Sequence, residues 1–244
     1  MIGRSNPILL IASKEIFTMN NNKFTPLDLK TWSRSQMFHY FTQMAPTGFS
    51  LTAFLNITIM KKALDERQLK FYPAYVWLVT TILNQQLEFK VAIKNDVLGY
   101  WDTLTPLYPT FHDDNKSISL VWTPYNHSFM EFYRGYLENE KEYGDHHGIL
   151  AQPLQALPEN CYTVSCIPWI DFQHFSVHSY ENKPFYFPSI EAGKYTTNGE
   201  TTTMPISITV HHATTDGWHV SCFFEELQNL MNEPEKWLDD DSNQ

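Results

Sequence analysis

Apolar and polar positions alternate along this chain with two periods, and the periods mark out its elements. The stretch Met204-Pro205-Ile206-Ser207-Ile208-Thr209-Val210 alternates at every second residue, as a half-buried strand does. Trp218, Val220, Phe223, Phe224, Leu227, Leu230 and Met231 then recur at helical spacing. Between the two lies His211-His212-Ala213-Thr214-Thr215-Asp216-Gly217. Two histidines therefore sit at a strand end, where a turn leads into an amphipathic helix. Gly217 suits a turn position with unusual backbone angles. Asp216 stands beside the helix start, where unpaired N–H groups and the helix dipole favour a carboxylate.

The same reading upstream predicts a helix over 32–42, a turn at Pro46-Thr47-Gly48, a strand over 49–59 and a short polar helix over 61–68. Residues 72–86 are apolar on most faces and predict a buried helix. Strands are predicted over 89–94, 98–101, 108–112 and 117–122, the last closed by Pro124. Residues 127–143 read as a helix with Phe129, Phe132, Tyr133, Tyr136, Leu137 and Tyr143 on its apolar side. A loop over 144–158, carrying His146 and His147, is expected to be exposed. Strands follow over 162–167, 185–195 and 202–211, the last two joined by a turn at Asn198-Gly199. The expected fold class is α/β (α+β), a two-layer sandwich in which helices pack on a large mixed β-sheet.

Length and composition narrow this further. The 244 residues show no internal repeat, linker or Gly-rich phosphate loop, so one domain over 19–233 is expected. Residues 1–18 read as a poorly ordered N-terminal extension: the apolar run Ile8-Leu9-Leu10-Ile11-Ala12 falls short of the ~7–15 residues of a signal core. Residues 234–244, with Asp239-Asp240-Asp241, read as a solvated acidic tail. No segment approaches the ~20 apolar residues of a membrane span. With 43% hydrophobic and 18% charged residues the chain is globular, and 15% aromatic residues favour broad apolar pockets. The net charge, 17 − 27 = −10, argues against nucleic acid and anionic membranes as partners. Cys161, Cys166 and Cys222 make no disulfide framework, so a reducing compartment is the simplest home.

A histidine held at a strand end is a natural general base for a hydroxyl, because its ordinary pKa of about 6.5 lies near working pH. Adjacent histidines on an arbitrary strand are more often packing residues. The fixed spacing to Asp216-Gly217 and the strand–turn–helix setting favour a site. His212 and Asp216 would supply only two metal ligands, and no nearby cluster completes a set, so no metal is expected.

Several separate segments carry a resemblance. Val210-His211-His212-Ala213-Thr214-Thr215-Asp216-Gly217-Trp218-His219-Val220 resembles the active-site signature of type A chloramphenicol acetyltransferases. The His-His-x-x-x-Asp-Gly core alone also occurs in condensation domains, plant acyltransferases and, in related form, dihydrolipoyl acyltransferases. Four further segments are similar to the one family in the same order: Trp32-Ser33-Arg34 with Phe38; Gly48-Phe49-Ser50-Leu51-Thr52; Lys70-Phe71-Tyr72-Pro73; and Ser165-Cys166-Ile167-Pro168-Trp169 with Phe172 and Phe175. Gly193-Lys194-Tyr195 is a fifth, and together they span about residues 23–232.

The resemblance implies a cytoplasmic bacterial homotrimer that confers antibiotic resistance, with active sites between subunits. It implies acetyl-CoA as co-substrate and chloramphenicol as acceptor, acetylated directly at its 3-hydroxyl. It assigns His212 as general base and Ser165 as the hydroxyl that hydrogen-bonds the oxyanion. Asp216 and Arg34 match an ion pair that shapes the site. CoA contacts would fall on Lys70, Tyr72, Lys194 and Tyr195. The acceptor pocket would use Tyr40, Phe41, Phe49, Ile118, Thr163 and Glu191; for the aromatic ones, plain core packing is the competing role.

Two positions depart from the family pattern. Glu191 stands where the family usually has a threonine that helps hold a water, and Ser189 where it prefers an apolar residue. A carboxylate at 191 repels an oxyanion unless it is protonated or turned away. The sequence alone therefore predicts that Glu191 is a handicap and that Glu191→Thr raises turnover. The departures also motivate two alternatives: a related acyltransferase for another hydroxyl acceptor, and a non-catalytic trimeric ligand-binding relative. Retention of His212, Ser165, Asp216 and Arg34 argues against the latter.

Overall fold

The structure is a computed structural model that describes residues 22–178 and 185–239. The expected extension over 1–18 and the Asp240-Asp241 part of the acidic run lie outside these residues. Among the described residues, ten strands and six α-helices follow in the order β1 (Phe24–Pro26), α1 (Ser35–His39), β2 (Gly48–Asn56), α2 (Thr58–Glu66), α3 (Phe71–Gln85), β3 (Val91–Lys94), β4 (Val97–Trp101), β5 (Thr105–His112), β6 (Ser117–Trp122), α4 (Phe129–Tyr143), β7 (Cys161–Ile167), β8 (Ser189–Gly193), β9 (Thr196–Asn198), β10 (Thr201–His211), α5 (Gly217–Asn232) and α6 (Glu235–Leu238). A wider π-type turn, Tyr40–Met44, continues α1.

The main sheet runs β2-β10-β8-β7-β5-β6, with β9 paired to β10. It is mixed: β5–β7 and β7–β8 are parallel, and the other pairs antiparallel. Helices pack on one of its faces, which is the expected two-layer α/β sandwich. Register explains the two faces. Val164, Ile190 and Ile208 stand side by side across β7, β8 and β10 and are fully buried in the core with α3 and α5. One residue along each strand, Ser165, Glu191, Ser207 and Thr52 stand side by side on the opposite face. Thr163, Ser189, Thr209 and Ser50 form a second such row. The far face of the sheet is thus lined with hydroxyls.

That face is covered too. The Ser207 hydroxyl donates to the Phe175 carbonyl at 2.5 Å, and the Val177 N–H donates to Thr209 Oγ1 at 3.3 Å, so the segment 172–178 lies over it. Gly193 lets that segment approach: a Cβ there would meet Pro205 Cγ at 2.7 Å and Phe172 Cε1 at 2.9 Å. The register of β10 with β8 runs from Thr209 to Ile206 and stops before Pro205, which has no N–H to donate.

Several boundaries differ from the sequence reading. The strand expected over 49–59 ends at Asn56, whose side chain accepts from the Thr58 N–H and hydroxyl and turns the chain into α2. The strand expected over 185–195 is only Ser189–Gly193 within the described residues. Residues 91–101 form a separate sheet, β1-β4-β3, with the unforeseen β1. The loop over 144–158 is not simply exposed: Leu120 N–H donates to Ile149 O and Ala151 N–H to Leu120 O, so the loop caps the edge strand β6.

Two further corrections bear on the chain's end and on Gly217. Residues 234–238 are not tail: α6 buries Trp237 against Trp77 and Phe129. Burying a large apolar side chain contributes about 1.5–3 kcal/mol, enough to hold so short a helix in place. Gly217 adopts no left-handed angle; it is the first residue of α5, and among the described residues the positive-φ glycines are Gly148 and Gly199. The turn is made instead by the extended Asp216 backbone. Gly199, at φ +61°, closes the β9–β10 hairpin as expected.

Candidate active site

His212 lies just past the end of β10, where its N–H donates to the Thr47 carbonyl. Its Nδ1 is 3.1 Å from the Thr215 carbonyl oxygen. A carbonyl only accepts, so Nδ1 carries a proton, and in the neutral ring the lone pair is on Nε2. Phe41 stacks on the ring at a centroid distance of 4.0 Å, and Phe49 meets it edge-on at 5.0 Å. Tyr40 packs against Phe41 and is 46% exposed. His211 plays a different part. The Ala213 N–H donates to its Nδ1, its ring meets Tyr186, and burial, then the neighbouring His212, pull its pKa below the ordinary value. It stays neutral and structural.

Asp216 caps α5 by accepting from the Trp218 N–H. Its other oxygen binds Arg34 at 2.7 Å, which ties α1 to α5. His219 Nδ1 lies 2.8 Å from Asp216 Oδ1, and its Nε2 lies 3.8 Å from Glu88. Burial acts to raise the Asp216 carboxyl, but the Arg34 and His219 interactions outweigh it and hold it at about 2. The expected pair is therefore part of a larger network. His219 and Glu88 were missed, although His219 stands three residues after Asp216, one helical turn on.

Ser165 is half-buried on β7, directly beside Glu191 on β8. Glu191 is 4% exposed. Its Oε1 accepts a hydrogen bond from Ser189, whose hydroxyl in turn contacts Thr163 at 2.7 Å. Burial pushes the Glu191 carboxyl up to about 7, against the lowering effect of the Ser189 hydrogen bond.

Tyr72, Lys194 and Tyr195 line one cavity of about 600 Å³, together with Phe71, Tyr75, Phe111, Ile118 and Trp169. The Tyr72 hydroxyl is buried there with no hydrogen-bond partner among the described residues. Lys70 stands at the N-cap of α3 beside this cavity and is ion-paired with Glu140. The cavity's aromatic wall was only partly foreseen: Phe71 and Trp169 belong to the quoted motifs, while Tyr75 and Phe111 carry no local signal. Among the described residues, no group of three His, Cys, Asp or Glu is arranged to hold a metal.

The expected acceptor pocket does not come together within one chain. Phe41 and Phe49 pack on His212 with Tyr40 against Phe41, Thr163 and Glu191 lie with Ser165 in the sheet, and Ile118 lines the cavity. Ser165 is level with Ser207 on β10, and His212 is five residues further along. At ~3.4 Å per residue and ~4.8 Å per strand, Ser165 and His212 are roughly 20 Å apart in the chain.

Comparison with known proteins agrees with these motifs. The chloramphenicol acetyltransferase family profile matches residues 21–228. The chain is 36% identical over 222 residues to a chloramphenicol acetyltransferase of Staphylococcus aureus, covering 90% of this chain and 100% of that protein. It is 35% identical over 217 residues to the enzyme of Clostridium perfringens, covering 88% and 98%. It is 34% identical over 209 residues to chloramphenicol acetyltransferase 3 of Escherichia coli, covering 86% and 97%. In fold it is similar to a solved chloramphenicol acetyltransferase, with a TM-score of 0.79 at 21% identity over 86% of this chain and all of the other. The dihydrolipoamide acetyltransferase of Azotobacter vinelandii shares the fold at a TM-score of 0.60 and 15% identity, over 97% and 100%. With the profile matched over most of its length and relatives above 30% identity along nearly their whole chains, the protein belongs to the chloramphenicol acetyltransferase family.

Proposed function

We propose that the protein transfers the acetyl group of acetyl-CoA to the 3-hydroxyl of chloramphenicol, with His212 as general base. The observation that carries this is the Nδ1–H of His212 held by the Thr215 carbonyl, which fixes the neutral tautomer whose lone pair is on Nε2, at a strand end. Nε2 takes the hydroxyl proton as the oxygen attacks, then returns it to the leaving sulfur. Phe41 and Phe49 fix the ring plane while it does so. Acetyl-CoA supplies a thioester carbonyl carbon for the attack and an oxygen that gains negative charge. The Ser165 hydroxyl donates to that oxygen, a contribution of roughly 3 kcal/mol in comparable sites.

The cavity suits such a co-substrate. It is apolar, its buried Tyr72 hydroxyl has no partner among the described residues, and Lys194 and Tyr195 stand on its wall. Lys70, Lys194, Tyr72 and Tyr195 would hold the nucleotide end, with the lysines on its phosphates. His212, acting on the acceptor hydroxyl, and Ser165, acting on the acetyl oxygen, lie too far apart to serve one reaction within a chain, so the working unit is a homotrimer whose sites form between subunits. We infer, from the family setting, a bacterial cytoplasmic enzyme that confers resistance.

The test is thiol release from acetyl-CoA with and without chloramphenicol. Release that depends on chloramphenicol supports the reading. Release dependent on a different hydroxyl compound, with chloramphenicol inert, supports the second reading, which Glu191 favours: a related acyltransferase for another acceptor. Release with neither returns the protein to ligand binding alone.

A further inference from the structure

The hydroxyl-lined face of the sheet holds a carboxyl group, and its neighbours are arranged around one of its oxygens. Because Ser189 spends its proton on Glu191 Oε1, the 2.7 Å contact between Thr163 Oγ1 and Ser189 Oγ has Thr163 as donor. The chain Thr163 → Ser189 → Glu191 thus ends on an accepting Oε1. Oε2 is buried and has no partner among the described residues. In the neutral acid the proton therefore belongs on Oε2. Ser165 is the direct register neighbour of Glu191 on the same face, one strand spacing of ~4.8 Å away. Two donors so placed can reach one oxygen atom.

We propose that Glu191 is a catalytic residue: its Oε2–H donates, beside the Ser165 hydroxyl, to the acetyl oxygen as that oxygen gains negative charge. The proposal rests on the acetyl-transfer reading above. The proton stays on Glu191 throughout, and the hydroxyl proton travels only through His212. Thr163 and Ser189 are positioning residues. The direct donor replaces the water that the family's threonine helps to hold. It also reverses the expectation from the sequence alone, since Glu191→Thr now removes a donor instead of a handicap.

Burial holds the Glu191 acid neutral to about pH 7. The groups facing it do not confuse its titration. Ser165 of β7 and Ser207 of β10 do not ionise in the working range. Tyr75 of α3 and Cys166 of β7 are both raised by burial, the thiol to about 11, so both stay neutral. In the covering segment, His174 sits one strand beyond Ser207, on Thr52.

The experiment is a pH profile of kcat for the intact enzyme with acetyl-CoA and chloramphenicol, joined to infrared spectra of the enzyme without substrates. Wild-type kcat falls as pH rises through about 7, because ionised Glu191 neither donates nor tolerates the oxyanion. Glu191→Gln keeps a donor and abolishes the fall. Glu191→Thr lowers kcat about 10²–10³-fold. Ser189→Ala removes the interaction that lowers the Glu191 pKa and moves the fall to higher pH. In the spectra a protonated carboxyl band disappears through the same pH range and is absent from Glu191→Gln. A fall retained in Glu191→Gln, or no carboxyl band titrating with it, overturns the proposal. If Glu191→Gln does not fold, the direction of the Ser189→Ala shift decides. Wild-type enzyme without chloramphenicol acetylation overturns the acetyl-transfer reading and the proposal with it, whereas an active wild type with an unmoved profile in the variants sinks the proposal alone.

Discussion

Phe41 lies flat against the imidazole of His212, 4.0 Å between centroids and 15° from parallel, while Thr215 holds the ring's Nδ1–H. The two contacts fix both the plane and the tautomer of the proposed base. His212→Ala removes the base and is expected to lower kcat by about 10²–10⁴-fold with assembly unchanged. Phe41→Ala leaves the base but loosens its plane; a misplacement of about 1 Å costs on the order of 10²-fold. Steady-state kinetics check both. A His212→Ala enzyme with more than about a tenth of wild-type turnover would remove this residue from the mechanism.

The ion pair makes a different prediction. Arg34 is largely buried on Asp216, and its Nε and a second terminal nitrogen have no partner among the described residues. Arg34→Ala leaves Asp216 facing His219 alone, and Asp216→Ala leaves a confined guanidinium unpaired. Both variants should melt at lower temperature and lose activity. Because the Asp216 carboxyl is held at about 2, below its ordinary value near 4, its contribution to stability is present above about pH 4 and is lost as pH falls towards 2. Thermal melts of wild type and Asp216→Asn between pH 5 and 2 should converge. Lost activity with an unchanged melting temperature would instead give these residues a direct part in the chemistry.

What the sequence showed and hid follows from how local each signal is. Period-two alternation in β10 and the helical spacing after Asp216 depend on neighbours a few residues away, and both elements stand where expected. The hydroxyl rows across β2, β10, β8 and β7 depend on register between distant strands, so nothing local in the sequence ties Ser189 to Thr163. Gly217 was misread because Asp216 takes the extended angles that the turn needs. Trp237 was assigned to a tail because its partners Trp77 and Phe129 lie more than a hundred residues away. The distance between Ser165 and His212 is likewise invisible without the register.

Lys70, proposed for the nucleotide site, is ion-paired with Glu140, so in that site an incoming phosphate competes with a carboxylate. The pair is half-exposed, and such pairs contribute about 0–1 kcal/mol. Glu140→Gln should therefore lower the KM for acetyl-CoA severalfold with kcat nearly unchanged, and Lys70→Ala should raise it. Acetyl-CoA titrations by calorimetry report the same change in Kd. If Glu140→Gln raises the KM instead, the pair orients Lys70 and the carboxylate is part of the nucleotide site.

The separation of Ser165 from His212, roughly 20 Å within one chain, makes the interface reading testable without a structure of the assembly. His212→Ala and Ser165→Ala homotrimers each lack one partner at every site. In a mixed trimer, a His212→Ala subunit lends its intact Ser165 to a neighbour that keeps its intact His212. Random mixing in equal amounts then restores about a quarter of the sites, because each site joins two independently drawn subunits. Unfolding the two variants together and refolding them should recover activity towards that level, and light scattering should show a trimer. Refolding them separately and then combining them should recover none while subunits stay in place. If both residues served one site from the same chain, no mixture would regain activity, and the interface site would have to be abandoned.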